Sequence, residues 1–263
     1  IFIAWLAQVV FTPLIALPTD LVDNHFLLLA LSTGAVGAVA FFILTTTVMR
    51  TWHLSWSGLK PHWSGDFNWV ILAGLVVVDA IFTVLNTGEM PSLHRANWDF
   101  TLSAFEAAVM EETLFRFAIL GILFYAWRNV KQRLPLALAT SSILFGIVHL
   151  TNYGPQEWSM TVLQAVSAAG IGLFFATVYV YTGQLWLAML MHFLLDWTAF
   201  IASDSTLMTG KVTVQDWIGT GIELVVFIGI AVWMMFGQRR QVMERHVNRL
   251  TGEHQRFDFM IQY

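Results

Sequence analysis

Long runs of apolar residues dominate this sequence, and short segments rich in proline, glycine or charged residues separate them. Each run is close to the ~20 residues that an α-helix needs to cross a bilayer. The runs are continuous and do not alternate between apolar and polar positions, which favours helices over membrane strands. We therefore predict an all-α membrane protein with about eight transmembrane helices, at 1–17, 25–49, 68–86, 100–127, 134–150, 158–181, 184–200 and 215–236.

The composition agrees with this pattern. Of the 263 residues, 57% are hydrophobic and only 11% are charged, whereas soluble domains carry about 25% charged residues. We expect an integral, multi-pass protein with a single polytopic domain over 1–263, surrounded by the lipid bilayer and without a nucleic-acid partner. The chain contains no cysteine, which excludes disulfides, thiolate metal sites and a cysteine nucleophile.

The basic residues predict the orientation. Cytoplasmic loops of membrane proteins are enriched in lysine and arginine. Both termini are therefore predicted to be cytoplasmic, in the cell membrane if the protein is prokaryotic. The basic tail, 238–263, is expected either to lie along the inner membrane surface or to be solvated. The predicted inner segments hold Arg50, Lys60, Arg128, Lys131, Arg133, Arg239, Arg240, Arg245, Arg249 and Arg256, and the outer loops hold Arg95 and Lys211.

Three charged residues interrupt the fourth apolar run: Glu111, Glu112 and Arg116. Each charge near the bilayer centre costs about 2.5–3.5 kcal/mol on insertion scales, so these side chains should face a protein interior or a wet cavity. Glu112 and Arg116 share one helix face, four residues apart, and a purely structural ion pair is one interpretation. A single arginine cannot neutralise both acids, so Glu111 is the better candidate for chemistry.

Two histidines also fall within predicted spans. His149 follows Phe145 by four residues and His192 precedes Asp196 by four, so each pair shares a helix face. Either histidine could instead hydrogen-bond a neighbouring helix. Two further acids, Asp79 and Glu106, are expected to have supporting or packing roles. A serine–histidine relay through Ser141 or Ser142 is conceivable, but it would give the acidic pair no task.

This set of residue types suits water activation. A carboxylate and an imidazole can share the proton of a bound water, and general base catalysis contributes about 10²–10⁴ in rate. A second imidazole could donate a hydrogen bond to a developing oxyanion. The pattern predicts a polar catalytic cavity between the fourth, fifth and seventh helices, with the motifs in a core over 100–200.

The three motifs, in this order, resemble the CPBP family, which comprises CaaX proteases and bacteriocin-processing (Abi) enzymes. They are Glu-Glu-x-x-x-Arg at 111–116, Phe-x-x-x-His at 145–149 and His-x-x-x-Asp at 192–196. The resemblance implies a helical intramembrane protease of glutamic type that acts on membrane-anchored, lipidated or hydrophobic peptides.

The resemblance also implies roles for the motif residues. Glu111 and His149 would activate water, and His192 with Asp196 would form an oxyanion hole. The third motif often ends in asparagine, and an ionised aspartate cannot donate a hydrogen bond. Asp196 would therefore be protonated or would orient His192 as an acceptor. The orienting groups would be Glu112, Arg116 and Phe145.

Three alternatives remain at this stage. Two histidines and a carboxylate are also a hydrolytic zinc set, which would use Glu111, His149 and His192. Because no His-Glu-x-x-His helix is present, we expect no metal and no other cofactor. Relatives of the family are also thought to act as membrane scaffolds or in bacteriocin immunity. A proton-coupled transporter would use the intramembrane acids as a relay.

Overall fold

The computed structural model describes residues 25–52, 54, 63, 67–87, 93–208 and 210–251, and these residues form helices without any strand. The prediction of an all-α protein is confirmed for this part of the chain, whereas the predicted first span, 1–17, lies outside the described residues. The helices are α1 (His25–Ser32), α2 (Ala35–Thr51), α3 (Trp69–Thr87), α4 (Trp98–Glu112), α5 (Leu120–Ala126), α6 (Arg133–Val148), α7 (Trp158–Thr182), α8 (Leu185–Ser203), α9 (Val214–Met234) and α10 (Gly237–Leu250).

Four helical segments of the described chain are long and apolar enough to cross a membrane: Arg133–Asn152, Trp158–Thr182, Leu185–Ser203 and Val214–Met234. Helices α1 and α2 form a bent pair that makes a fifth span when the two are taken together. These four to five spans establish an integral membrane protein. The predicted number of eight is not confirmed. The run from α4 to α5 carries too many charged residues to be assigned as a span on composition, although it is continuously helical.

The second predicted span, 25–49, is not one straight helix. It is broken between α1 and α2, which are bent by 63°. Gly34 lies at the break with a φ of +81°, a left-handed conformation that glycine adopts without steric cost. The break brings this backbone against α4, because a Cβ at Gly34 would lie 3.1 Å from Cγ of Glu106.

Helix α7 lies at the centre of the bundle and packs against α6, α8, α9 and α10. Its second half is buried on every side, as Phe174, Val178 and Val180 show. A helix that is apolar all round belongs in such a position. Helix α9, by contrast, exposes Val225 and Ile222 on its outer side, as a helix in contact with lipid does. The bundle therefore encloses α7 and places α9 at its edge.

The beginning of the predicted tail is part of the fold. Helix α10 turns its apolar side, including Val242, Met243 and Val247, into the protein core. His246 is buried with them, and its Nδ1–H donates to the carbonyl of Val180 at 3.0 Å. The apolar face of α10 is thus covered by protein, so neither a free membrane-surface helix nor a solvated tail describes 237–250.

The basic segments gather at one end of the bundle. At the start of α6, Arg133 hydrogen-bonds Asn248 of α10, and its Nη2 lies 3.6 Å from Oε2 of Glu244. The loop before α6 and the tail helix therefore share an end. The sequence analysis also predicted that this loop and this tail lie on the same side of the membrane. That this side is the cytoplasmic one stays a prediction.

Candidate active site

The two acidic residues of the first motif end helix α4, near the middle of a helical run over 98–126. A π-helix, Thr113–Ile119, follows them, and the N–H of Leu120 donates to the carbonyl of Phe115, five residues back. Ser141 of α6 donates to the same carbonyl at 2.9 Å. Such wide turns often occur at functional sites. Here the wide turn links the first motif to α6.

Glu112 joins two of the three motifs. Its side chain is fully buried, with 0% exposed, and its Oε2 lies 3.0 Å from Nε of Arg116. Its other oxygen, Oε1, lies 2.9 Å from Nδ1 of His192 on α8. Charge-assisted bonds of this length are among the stronger ones in proteins. Glu112 thus holds His192 from its buried side and has its own charge balanced by Arg116.

The other ring nitrogen of His192 faces a more open region. Its Nε2 lies 3.4 Å from Oδ2 of Asp196 and 3.7 Å from Oε2 of Glu111. These two carboxylates are 25% and 30% exposed, whereas Glu112 is not exposed at all. Glu111 and Glu112 therefore contact the same imidazole from different sides, one accessible and one closed. The assignment of chemistry to Glu111 stays a prediction.

Phe145 is the common neighbour of the cluster. It is buried, with 2% exposed, and the guanidinium of Arg116 lies over its ring at 4.3 Å from the centroid. The rings of His149 and His192 both approach it nearly at right angles, at centroid distances of 4.8 and 6.1 Å. The arginine and the two histidines thus share one aromatic neighbour.

His149 lies where α6 ends and a short 3₁₀ turn, His149–Asn152, begins. Its Nδ1 lies 2.8 Å from the carbonyl oxygen of Phe145. A carbonyl only accepts, so this contact assigns the hydrogen to Nδ1, and in the neutral ring the lone pair is then on Nε2. The backbone therefore selects the tautomer in which His149 can act as a base.

All seven residues of the predicted site lie in one cluster, and both further acids are near it. Asp79 on α3 interacts electrostatically with His192, and Glu106 interacts with Glu111 and Asp196. The conceivable serine relay is wrong, because Ser141 and Ser142 donate to the backbone carbonyls of Phe115 and Leu138. The cluster comprises Glu111, Glu112, Arg116, Phe145, His149, His192 and Asp196.

Sequence reasoning missed the contribution of α7. The ring of Phe175 packs against His192 at a centroid distance of 5.5 Å, and Gly172 lies directly behind Phe145. Neither residue is charged, and α7 has no charged residue to draw attention to it. The sequence predicted that the fourth, fifth and seventh spans surround the site, and it omitted the sixth span, which is α7. The polar cavity between these helices stays a prediction.

The histidines and carboxylates of the cluster are side-chain types that can bind a metal ion. Among the residues that the structure describes, no group of three or more histidine or carboxylate side chains is arranged to hold one ion. Both nitrogens of His192 face carboxylates, and Nδ1 of His149 is bound to a carbonyl. In this arrangement the side chains do not fit a zinc site.

Residues 94–198 match the family model described as "Type II CAAX prenyl endopeptidase Rce1-like". The match covers less than half of the chain, but it contains all three motifs and every residue of the cluster. No curated protein and no solved structure gives a significant match. Through this segment, which brings a glutamate pair, an arginine and two histidines together, the chain is similar to the CPBP family of CaaX-type membrane proteases.

Proposed function

We propose that this protein is an intramembrane endopeptidase that hydrolyses a peptide bond in a membrane-anchored or hydrophobic peptide. The family match supports a protease of the CaaX type. A prenylated protein with a C-terminal CaaX sequence is one substrate of this class. The observation that carries the proposal is the arrangement around His192, with a buried carboxylate on one nitrogen and two accessible carboxylates on the other.

In the proposed reaction, Glu111 and His149 activate the attacking water. Nε2 of His149 carries a lone pair, because Nδ1–H is bound to the backbone, and the carboxylate of Glu111 is partly exposed. The water oxygen attacks the peptide carbonyl carbon while its proton passes to this pair. The same proton is then delivered to the amide nitrogen as the C–N bond breaks. General acid–base catalysis of this kind supplies about 10²–10⁴ in rate.

His192 stabilises the oxyanion in this scheme. Three carboxylates surround the ring, and in the proposed oxyanion role both of its nitrogens donate. Glu112 accepts from Nδ1–H, so Nε2–H points to the accessible side, where Asp196 orients it. A donor that is fixed before the reaction stabilises developing charge without reorganisation. The proposed role of Asp196 is therefore that of an acceptor that positions His192.

We also propose that the reaction needs no resident metal and no other cofactor. The arrangement of the described side chains supports this, since no three of their histidine or carboxylate groups are placed to hold one ion. The proposed setting is a cell membrane with both termini on the cytoplasmic side. The concentration of basic residues at the end formed by α6 and α10 supports that orientation.

The test uses the full chain in lipid nanodiscs and a quenched fluorescent peptide that ends in a farnesylated CaaX sequence. We expect cleavage by the wild type and a loss of about 10²–10⁴ in kcat for Glu111→Gln and for His149→Ala. Matched controls are Glu157→Gln and His25→Ala, which change exposed residues and should cleave like the wild type.

Three results would contradict the proposal. If Glu111→Gln or His149→Ala retains full activity, that residue does not activate the water. If the wild type cleaves neither this reporter nor unlipidated hydrophobic peptides, the protein is not an endopeptidase of this kind. Inactive variants that still complement a deletion in cells would favour the scaffold role.

A further inference from the structure

Helix α7 contributes a glycine to the back of the cluster. A Cβ built on Gly172 would lie only 2.8 Å from Cδ1 of Phe145 and 3.5 Å from Nη2 of Arg116. Carbon atoms in ordinary contact are about 3.5–4.0 Å apart. The position therefore has no room for any side chain while Phe145 keeps its place.

Phe145 cannot move away easily. Its ring contacts Phe115 at a centroid distance of 5.0 Å, in addition to the two histidines. The helices cannot separate easily either. At the next residue, Gly146, a Cβ would lie 2.6 Å from the backbone oxygen of Ala165 on α7, so α6 and α7 are already at their closest approach. Protein interiors of this density transmit a displacement to their neighbours.

Arg116 depends on this ring for its surroundings. The guanidinium is 1% exposed, and its Nη1 and Nη2 have no hydrogen-bond acceptor among the described residues. Its other close partners are Oε2 of Glu112, at Nε, and the face of Phe145. A desolvated cation is attracted to the face of an aromatic ring. A shift of Phe145 would thus move Arg116 and, through Glu112, His192.

We propose that Gly172 is a positioning residue of the active site. Because it lacks a Cβ, α7 holds the Phe145 ring beneath Arg116, and this contact keeps the Arg116–Glu112–His192 chain in its catalytic arrangement. Gly172 touches no reacting atom in this proposal. The expected effect of Gly172 on catalysis rests on the proposed function, whereas its expected effect on stability rests on packing alone.

The kinetic experiment compares Gly172→Ala with Gly170→Ala in the full chain, on the farnesylated CaaX reporter. Both glycines are buried on α7, but a Cβ at Gly170 would meet the flexible end of Leu224 at 3.2 Å. We expect Gly172→Ala to lower kcat about 10- to 100-fold with KM nearly unchanged, since small misplacements of catalytic groups have effects of this size. Gly170→Ala should keep kcat within about twofold of the wild type. Equal kcat values for the two variants would overturn the proposal.

The second experiment does not need activity. The thermal unfolding midpoint is measured for the wild type, Gly172→Ala, Phe145→Ala and the double variant. If Gly172 acts through the ring, Gly172→Ala lowers the midpoint in the wild type and has little effect once Phe145 is alanine. An equal decrease in both backgrounds would overturn the proposal. If Gly172→Ala alone does not fold, recovery of folding in the double variant supports the proposal and no recovery refutes it.

The two experiments separate the two proposals. A wild type that cleaves no peptide contradicts the proposed function, while the unfolding cycle still decides whether Gly172 holds Phe145. If the wild type is active but the unfolding cycle shows no coupling between Gly172 and Phe145, the proposed protease function stands and the positioning role of Gly172 is refuted.

Discussion

Replacing Glu112 with methionine should separate the structural role of this residue from its role in orienting His192. The change removes the carboxylate that lies 3.0 Å from Arg116 and leaves a guanidinium that is 1% exposed without its ion-pair partner. Breaking a buried pair in this way costs about 3–5 kcal/mol. For a chain of this size, that corresponds to a fall of roughly 10 °C in the unfolding midpoint.

The double variant Glu112→Met/Arg116→Met removes both charges. Replacing a buried ion pair with apolar residues of similar volume is often neutral or stabilising by about 1–4 kcal/mol, so the midpoint should return to near the wild-type value. Activity should not return, because Nδ1 of His192 has lost the acceptor that lay 2.9 Å away. We expect kcat to stay about 10- to 100-fold low, the usual effect of losing a group that orients an active-site histidine.

The assay combines thermal unfolding in detergent with cleavage of the lipidated reporter. Glu223→Met is the matched control, since Glu223 is another buried carboxylate, on α9, bonded to Ser167; it should lower stability and leave kcat within about twofold. Wild-type activity in the double variant would refute the orienting role of Glu112. An unchanged midpoint in Glu112→Met would refute the buried ion pair.

Three further predictions follow from the remaining contacts. Activity should survive dialysis against EDTA; a complete loss that zinc restores would contradict the metal-free proposal. Burial lowers the pKa of His246 to about 4, below its ordinary value, so its contribution to stability is present above pH 6.5 and lost as the pH falls to about 4. The loss is roughly 3 kcal/mol, and His246→Gln should flatten the dependence of the unfolding midpoint on pH over this range. Since the chain has no cysteine, Lys131→Cys should react with an impermeant thiol reagent only from the cytoplasmic side, and Tyr153→Cys only from the outer side; the reverse would invert the proposed topology.

Much of the helical fold could be predicted, because a continuous apolar run that crosses a bilayer satisfies its backbone hydrogen bonds by forming an α-helix. Helices α7 and α9 begin and end within two residues of the predicted limits. The break at Gly34 was missed, since a glycine within an apolar run is also common in unbroken membrane helices.

The site could be predicted where it depends on charge. Residues four apart share a helix face, and the contacts Glu112–Arg116 and His192–Asp196 form as that rule requires. The link between Glu112 and His192 could not be derived, since it joins two helices whose packing the local pattern does not specify. Glu223 gave the same signal as Glu111, an acid in an apolar run, and was overlooked.

The wide turn at 113–119 has a consequence for how this sequence can change over generations. If this stretch returned to the ordinary helical pitch with the same number of residues, everything after it would rotate by about 100° relative to the acidic pair. Phe124, now buried, would leave the core. Substitutions that remove the wide turn should therefore be tolerated only together with the loss of one residue, which would return the following residues to their present faces.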